Sequence, residues 1–293
     1  MRLLTVYAVL VLVVLAAPAP ARAGEAEGAA AEATAPEGRE KPTVEVVIAF
    51  PGGTQMEGTL VEATKDGTLR VRTAGGMQEF RRQEWATVQP KQRPKELGIA
   101  RGLMDRKTQD TYRAAAKTYQ QVYDTYAHLY IFGAEALDGK AQAEMSMNQF
   151  AQAVATYKQL FSEYTSTDIT AERRYNYAQA LTKVGGKDNR TEAIAQLDRV
   201  VDITDDLLTM KALNALAGLH YDNKDFYLAL RASLEVLVLY GGYSGKDIAE
   251  AQQQLKLAKN NALLCCDKLG KSSSEEMKRR VAKIQDRVSR MPF

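Results

Sequence analysis

The second half of the chain contains a pattern that recurs three times, and it limits the possible folds more than any other feature. Each copy has an alanine followed by apolar or bulky residues one and seven positions later. The alanines are Ala153, Ala193 and Ala229, with a weaker copy at Ala116, so that the spacings are 37, 40 and 36 residues. A period of this length is typical of helical repeats.

A polar turn precedes each of the three copies, and a second amphipathic segment with a small residue precedes each turn. These small residues are Ala141, Ala178 and Ala217. Two antiparallel helices approach closely where each presents a small residue, and a bulky residue four positions on fills the neighbouring gap. The pattern therefore predicts helix–turn–helix units stacked in series.

These units resemble the tetratricopeptide repeat, a helix–turn–helix of about 34 residues, over residues 108–257. The clearest copies of its turn and second helix are Asn148–Ala153 and Lys224–Ala229. The spacings here are longer, the usual terminal proline is missing, and Gly185–Asn189 is interpreted as an insertion. The resemblance implies an α-solenoid of about three to four helix pairs that holds a partner peptide or helix in a groove. An irregular helical bundle is the alternative.

Residues 43–90 show a different periodicity, that of short strands. Val44, Val46 and Ile48 alternate with other residues, and glycine-containing turns follow every eight to ten residues. This predicts a small five-stranded β-barrel, closed or nearly closed. The stretch resembles the Sm-like barrels of bacterial envelope proteins; the matching elements are Gly53, Gly58-Thr59-Leu60, Asp66-Gly67 and Trp85 to Val88. The predicted fold is thus mainly α, with the solenoid preceded by this barrel.

The N-terminus has the pattern of a secretory signal peptide, which we assign to residues 1–23. Leu3 to Ala17 is an apolar run, and Ala21-Arg22-Ala23 offers a cleavage site. An uncleaved anchor is the alternative. We expect an exported protein of the periplasm or cell envelope, with a disordered linker at 24–42 and a second linker at 91–107. Residues 258–293 are predicted to form a helical cap, whose last helix opens with a capping box at Ser273-x-x-Glu276.

The sequence offers little catalytic chemistry. Its two cysteines, Cys265 and Cys266, are adjacent and are interpreted as buried small residues on a helix. Its two histidines, His128 and His220, have no cysteine or histidine at ligand spacing. We therefore nominate no catalytic, cofactor-binding or metal-binding residue, and we predict a protein that is not an enzyme.

Two groups of side chains are candidates for binding. Five tyrosines recur at spacings of seven, four, three and four, which would place them on one helical face. Tyrosine is favoured at interfaces, so they are candidates for the groove, with packing between repeats as the alternative. They are Tyr112, Tyr119, Tyr123, Tyr126 and Tyr130.

The second group consists of arginines in the predicted barrel, which are candidates for contact with an anionic surface or glycan of the membrane or cell wall. They are Arg70, Arg72, Arg81 and Arg82. A solvated surface is the alternative. The net charge of +3 is too small to argue for nucleic acid, and export disfavours it. The expected partner is another protein of the envelope, and self-association through the last helix is an alternative function.

Overall fold

The computed structural model describes residues 41–64, 66–164, 170–272 and 274–293. The predicted signal peptide and all but the last two residues of the linker 24–42 lie outside these ranges. Within them, no helix combines the length and apolarity needed to cross a membrane.

Five short strands form one antiparallel sheet near the start of the described chain. The strands are β1 (Val44–Ala49), β2 (Gln55–Ala63), β3 (Leu69–Thr73), β4 (Gly76–Phe80) and β5 (Thr87–Pro90). They are hydrogen-bonded in the order β4-β3-β2-β1-β5. The β1–β2 turn contains Gly52 and Gly53, both at positive φ, which glycine adopts without steric cost.

The prediction of a closed or nearly closed barrel is wrong, because β4 and β5 are opposite edges of an open sheet. Closure is replaced by helices that cover the apolar face. Side chains of the sheet such as Ile48 and Leu60 share one hydrophobic core with helical residues such as Leu97 and Phe132. The backbone N–H of Ala63 also donates to the carbonyl of His128 at 2.9 Å. The alternating strand pattern was correct, but the cover for its buried face comes from elsewhere in the chain.

The rest of the described chain is helical. The helices are α1 (Lys95–Asp105), α2 (Gln109–Tyr126), α3 (Tyr130–Ser146), α4 (Phe150–Glu163), α5 (Ala171–Val184), α6 (Lys187–Ile203), α7 (Leu207–Asp222), α8 (Phe226–Tyr240), α9 (Ile248–Ser272) and α10 (Glu275–Ser289). Each helix packs on the next through a short connection. The described residues thus contain five helix pairs, from α1/α2 to α9/α10, where the sequence predicted three to four pairs followed by a helical cap.

The repeat alanines occupy the positions predicted for them. They lie on both helices of the pairs α3/α4, α5/α6 and α7/α8, and each is at most 1% exposed. They are Ala141, Ala153, Ala178, Ala193, Ala217 and Ala229. The prediction that small residues lie between closely packed helices is therefore confirmed.

The turn inside each of the first four pairs contains residues with positive φ. They are Lys107, Asn148, the Gly185–Gly186 pair and Lys224, all with φ between 54° and 85°. A left-handed residue after a helix lets the next N–H groups satisfy the last carbonyls. In two of the turns the N–H of Gln149 reaches the Glu144 carbonyl at 2.8 Å, and that of Asp225 reaches His220 at 2.8 Å. The α3/α4 and α7/α8 turns thus share a hydrogen-bonding geometry, with Asn148 and Lys224 at the positive-φ position.

Three boundaries differ from the prediction. Residues 95–105, assigned to a linker, form α1, which pairs with α2 and buries Leu97 and Ala100. The boundary between residues 257 and 258 falls inside α9, so repeats and cap are not separate units. The N-cap of α10 is Ser274, whose side chain accepts from the Met277 N–H at 3.4 Å. The predicted cap at Ser273 lies outside the described residues.

The two sides of the helix stack differ. The odd-numbered helices α3, α5, α7 and α9 contact one another in series as well as within their pairs. Among the described residues, successive even-numbered helices contact one another less than successive odd-numbered helices do. The odd-numbered side is therefore the more closely packed, and clefts remain between helices on the even-numbered side.

Both cysteines are buried on α9, as predicted, with exposures of 0% for Cys265 and 1% for Cys266. Burial raises the pKa of the Cys265 thiol to about 11 and also raises the pKa of Cys266. Because the thiolate is the reactive form, only about one Cys265 thiol in a thousand is ionised at pH 8.

We expect Ellman's reagent to label these thiols at least ~100-fold more slowly in the folded protein than in urea, since burial also blocks access. The chain has no other cysteine, so the absorbance of the released reagent reports on these two alone. Labelling of the folded chain at the rate of a small thiol would contradict the buried placement.

Candidate functional site

Each odd-numbered helix from α3 to α9 carries polar side chains, and we call this set the polar row. Its members are Asp138 on α3, Tyr175 on α5, Lys211 and Asn214 on α7, and Glu250 on α9. Most are only partly buried, so that they are both held in place and accessible. The row crosses four helices on the closely packed side of the stack.

Contacts between helices hold the polar row together. Asp138 pairs with Arg173 of α5 at 3.3 Å, in a largely buried ion pair. Lys211 pairs with Glu250 of α9 at 2.6 Å, with side chains 28% and 44% exposed. The amide nitrogen of Asn214 donates to the backbone and side-chain oxygens of Gln254, at 3.0 and 2.9 Å. Each contact joins one odd-numbered helix to the next.

Tyr175 lies at the centre of the row. Burial raises the pKa of its hydroxyl, while the nearby Lys211 ammonium acts against this shift. The hydroxyl therefore stays protonated at neutral pH, and it accepts a hydrogen bond from Gln179 at 2.6 Å. Its own proton is available to an acceptor on a bound molecule.

The even-numbered side has two clefts, one on each side of α8. One, of about 410 Å³, lies between α6, α7 and α8 and is lined by Asp198, Asp202 and His220 among apolar residues. The other, of about 470 Å³, lies between α8 and α10 and is mainly apolar. Arg231 and Glu235 of α8 contribute to both clefts.

The five predicted groove tyrosines lie on two helices, four on α2 and one on α3. Tyr119 and Tyr130 are each only 4% exposed, and Tyr130 belongs to α3 rather than to the helix of the other four. Tyr123 donates to Glu163 at 2.5 Å, and Tyr126 packs edge-on against Phe132. Tyr112 is partly buried on α2. A loop between α2 and α3 interrupts the helical spacing between Tyr126 and Tyr130.

The four predicted anion-binding arginines have different environments. Arg70 pairs with Glu62 at 2.8 Å and Glu79 at 3.5 Å. Arg82 donates to the Trp85 carbonyl at 2.9 Å, with its guanidinium 4.1 Å from that ring. Arg72 and Arg81 are exposed. Two of the four charges are thus already paired or stacked within the sheet, which weakens the case for an anion-binding surface there.

The histidines lie far apart in the stack. His128 bonds through Nε2 to the Pro42 carbonyl at 2.9 Å, and burial lowers the pKa of its ring. His220 lines the cleft beside α6. Across the described ranges, no group of three or more histidine, cysteine, aspartate or glutamate side chains is close enough to hold a metal ion.

The sequence interpretation missed the polar row, although a signal for it exists. Asp138, Tyr175 and Asn214 each stand three residues before the small alanine of their odd-numbered helix, at Ala141, Ala178 and Ala217. Positions three apart on a helix share a face. Aligning the repeats on these alanines would have placed one polar residue per repeat on the same surface.

No family model matches the chain, and no curated protein matches it. Solved structures that resemble this chain include one described as a kinesin light chain's nearly identical tetratricopeptide-like repeats, from Podosopora anserina. That structure is 15% identical, with a TM-score of 0.48 over 67% of this chain and 96% of that one. MamA is 17% identical, with a TM-score of 0.38 over 52% of this chain and 89% of that chain. A tetratricopeptide repeat protein from Bacteroides fragilis is 16% identical, with a TM-score of 0.21 over 67% and 97%. These are likenesses only, and they do not indicate what this chain binds.

Proposed function

We propose that this protein is a non-catalytic scaffold that binds another protein along the polar row. The observation that supports this is the presence of polar groups on each of α3, α5, α7 and α9, with contacts that join α3 to α5 and α7 to α9. An extended peptide or a helix has polar groups at regular intervals, and a repeat scaffold presents complementary groups at regular intervals. The proposal rests on that surface rather than on the fold, because the same fold has many uses.

The chemistry of the row suits a polar segment. Lys211 and Glu250 form a pair that is partly exposed, so either partner can be drawn to a charge on the bound segment at small cost. Tyr175 adds a hydroxyl donor and an aromatic face beside them. We infer recognition by hydrogen bonds and charges at this surface, without covalent chemistry.

The proposed location is the periplasm or cell envelope, and the proposed partner is a protein of that compartment. This rests on the apolar run Leu3 to Ala17 and the cleavage pattern Ala21-Arg22-Ala23, which lie outside the described residues. Detection of the chain in the cytoplasmic fraction of its host, with its N-terminus intact, would contradict the proposed location.

The binding proposal is tested by exchanging the charges of the row. Lys211→Glu with Glu250→Lys keeps an ion pair between α7 and α9, but it exchanges the positions of the positive and the negative charge that a bound partner would contact. We use this variant as bait in an envelope extract and measure the captured proteins by quantitative mass spectrometry. We expect the amount of each protein that the native chain retains to fall by at least ~10-fold.

The matched control is Lys117→Ala with Lys158→Ala, which removes two exposed lysines of the even-numbered helices α2 and α4 that are not members of the row. This control should retain the same proteins as the native chain, in the same amounts. If the charge-exchanged bait also retains every protein at the native level, the polar row is not the binding surface.

A further inference from the structure

Helix α8 exposes an apolar surface on the even-numbered side of the stack. Tyr227, Leu228, Val238 and Leu239 are 64%, 41%, 71% and 68% exposed. The opposite side of α8 is fully packed in the core. Single exposed apolar residues are ordinary, but four on one helix next to an apolar cleft mark an interaction surface.

The flanks of this surface carry opposite charges. On the α6 flank, Asp198 and Asp202 line the cleft, and neither has an ion-pair partner among the described residues. On the α10 flank, Ile284 lines the other cleft, and Lys283 and Arg287 lie within one turn of it. Neither of these cations has an ion pair in the described part of the chain. The surface is thus acidic on one edge and basic on the other, and its mainly apolar centre also contains the Arg231–Glu235 ion pair of α8, at 2.8 Å.

We propose that this surface is the interface of a homodimer, in which α8 packs against α8 of a second copy and the acidic edge of each copy meets the basic edge of the other. A two-fold interface uses the same patch on both copies, so the patch must complement itself. An apolar centre flanked by opposite charges meets that requirement.

The charge pattern also selects the direction of the symmetry axis. Helices α6, α8 and α10 run the same way, because each is antiparallel to the helix before it. A two-fold axis along α8 places α6 of one copy opposite α10 of the other, so that carboxylates face cations. An axis across the helices would place α6 on α6 and α10 on α10, and like charges facing each other are costly. The two α8 helices are therefore parallel in the dimer.

The available area is sufficient for a stable dimer. A helix of 15 residues such as α8 is about 22 Å long. Three helices side by side at about 10 Å spacing cover about 30 Å. The product, about 660 Å², is near the ~800 Å² per partner of a standard interface. Since the polar row lies on the odd-numbered helices, this dimer would leave it free, and the inference goes beyond the proposed function.

The apolar centre is tested with a matched pair of valines. Val238→Asp puts a charge at the middle of the interface, whereas Val184→Asp puts one at an exposed valine (41%) on α5, away from it. By light scattering of the full chain at about 50 μM, a concentration above the dissociation constants usual for interfaces of this size, we expect a dimer for the native chain and Val184→Asp. Val238→Asp should give the mass of one chain.

The charged edges are tested by reversing one edge at a time. Asp198→Lys with Asp202→Lys makes both edges basic, and Lys283→Glu with Arg287→Glu makes both edges acidic. Each variant alone should be a monomer, with circular dichroism like that of the native chain. An equimolar mixture should restore the dimer, because every acidic edge then meets a basic one at both contacts. Lys117→Glu with Lys158→Glu, which reverses two cations elsewhere, should leave the native dimer intact.

Each other outcome overturns the proposal. A native chain that stays monomeric, including one that instead binds anionic vesicles or a different protein through α8, shows that the second copy is not the occupant. A dimer that survives Val238→Asp uses another surface. Two reversed variants that are folded but stay monomeric when mixed show that the edges of α6 and α10 do not face each other.

Discussion

Replacement of Trp85 by alanine is expected to lower the free energy of unfolding by about 3–5 kcal/mol, the usual cost of removing a buried aromatic ring. The indole is 4% exposed, and its Nε1–H donates to the Gly67 carbonyl at 3.0 Å. Its ring stacks on Tyr130 of α3 at a centroid distance of 6.2 Å. Trp85 thus fixes the Gly67 turn and joins the sheet to the helices at the same time.

The loss can be measured by urea unfolding followed by circular dichroism, because the variant has lost the chain's one tryptophan and with it the usual fluorescence signal. Trp85→Phe keeps an aromatic ring and loses the hydrogen bond, so a cost of about 1–3 kcal/mol is expected. Met77→Ala, at a sheet residue that is 56% exposed, should change stability by less than about 0.5 kcal/mol. If Trp85→Ala unfolds at the same urea concentration as Met77→Ala, Trp85 does not hold the sheet to the helices.

The sequence was sufficient to predict the helix pairs because their packing depends on local spacing. Ala153, Ala193 and Ala229 are needed where two backbones approach, and a larger side chain at those positions would separate the helices. Helix α1 was missed for an equally local reason. It contains Gly98 and Gly102, which lower helix propensity, and it follows Pro90 and Pro94. Tertiary packing of Leu97 and Ala100 on the neighbouring helices outweighs that propensity.

The open sheet and the candidate sites could not be predicted in the same way. Alternation along β1 shows that one face is buried, but it does not show whether another strand or a helix covers that face. The polar row joins Asp138, Tyr175 and Glu250, which are 37 and 75 residues apart, so it exists only after the helices stack. The tyrosine spacing was continued through the loop before Tyr130, where the helical period no longer applies, and Tyr130 lies on α3 rather than on the helix of the other four.

Tyr157→Ala is expected to cost about 3–5 kcal/mol, by the same argument of lost burial and a remaining cavity. Tyr157 is the bulky residue four positions after Ala153 in the repeat pattern, and its side chain is fully buried. Its ring lies 5.7 Å from that of Tyr177 on α5 and 6.3 Å from that of Phe161 on α4. The cluster joins the pair α3/α4 to the pair α5/α6, and stacked repeats are stabilised through such contacts between neighbours.

The hydroxyl of Tyr157 contributes less than the ring. It donates to Asp138 at 3.2 Å, and burial raises its pKa well above the ordinary value, so it remains a donor throughout the physiological range. Tyr157→Phe should therefore cost about 1 kcal/mol, the net value of one hydrogen bond.

At the equivalent position of the α8 repeat, Ser233 is buried, and its hydroxyl donates to the Ala229 carbonyl of its own helix at 2.9 Å. Ser233→Ala should change stability by no more than about 1 kcal/mol. Urea unfolding of the three variants distinguishes these effects, and a Tyr157→Ala loss no larger than that of Tyr157→Phe would show that the ring does not join the two helix pairs.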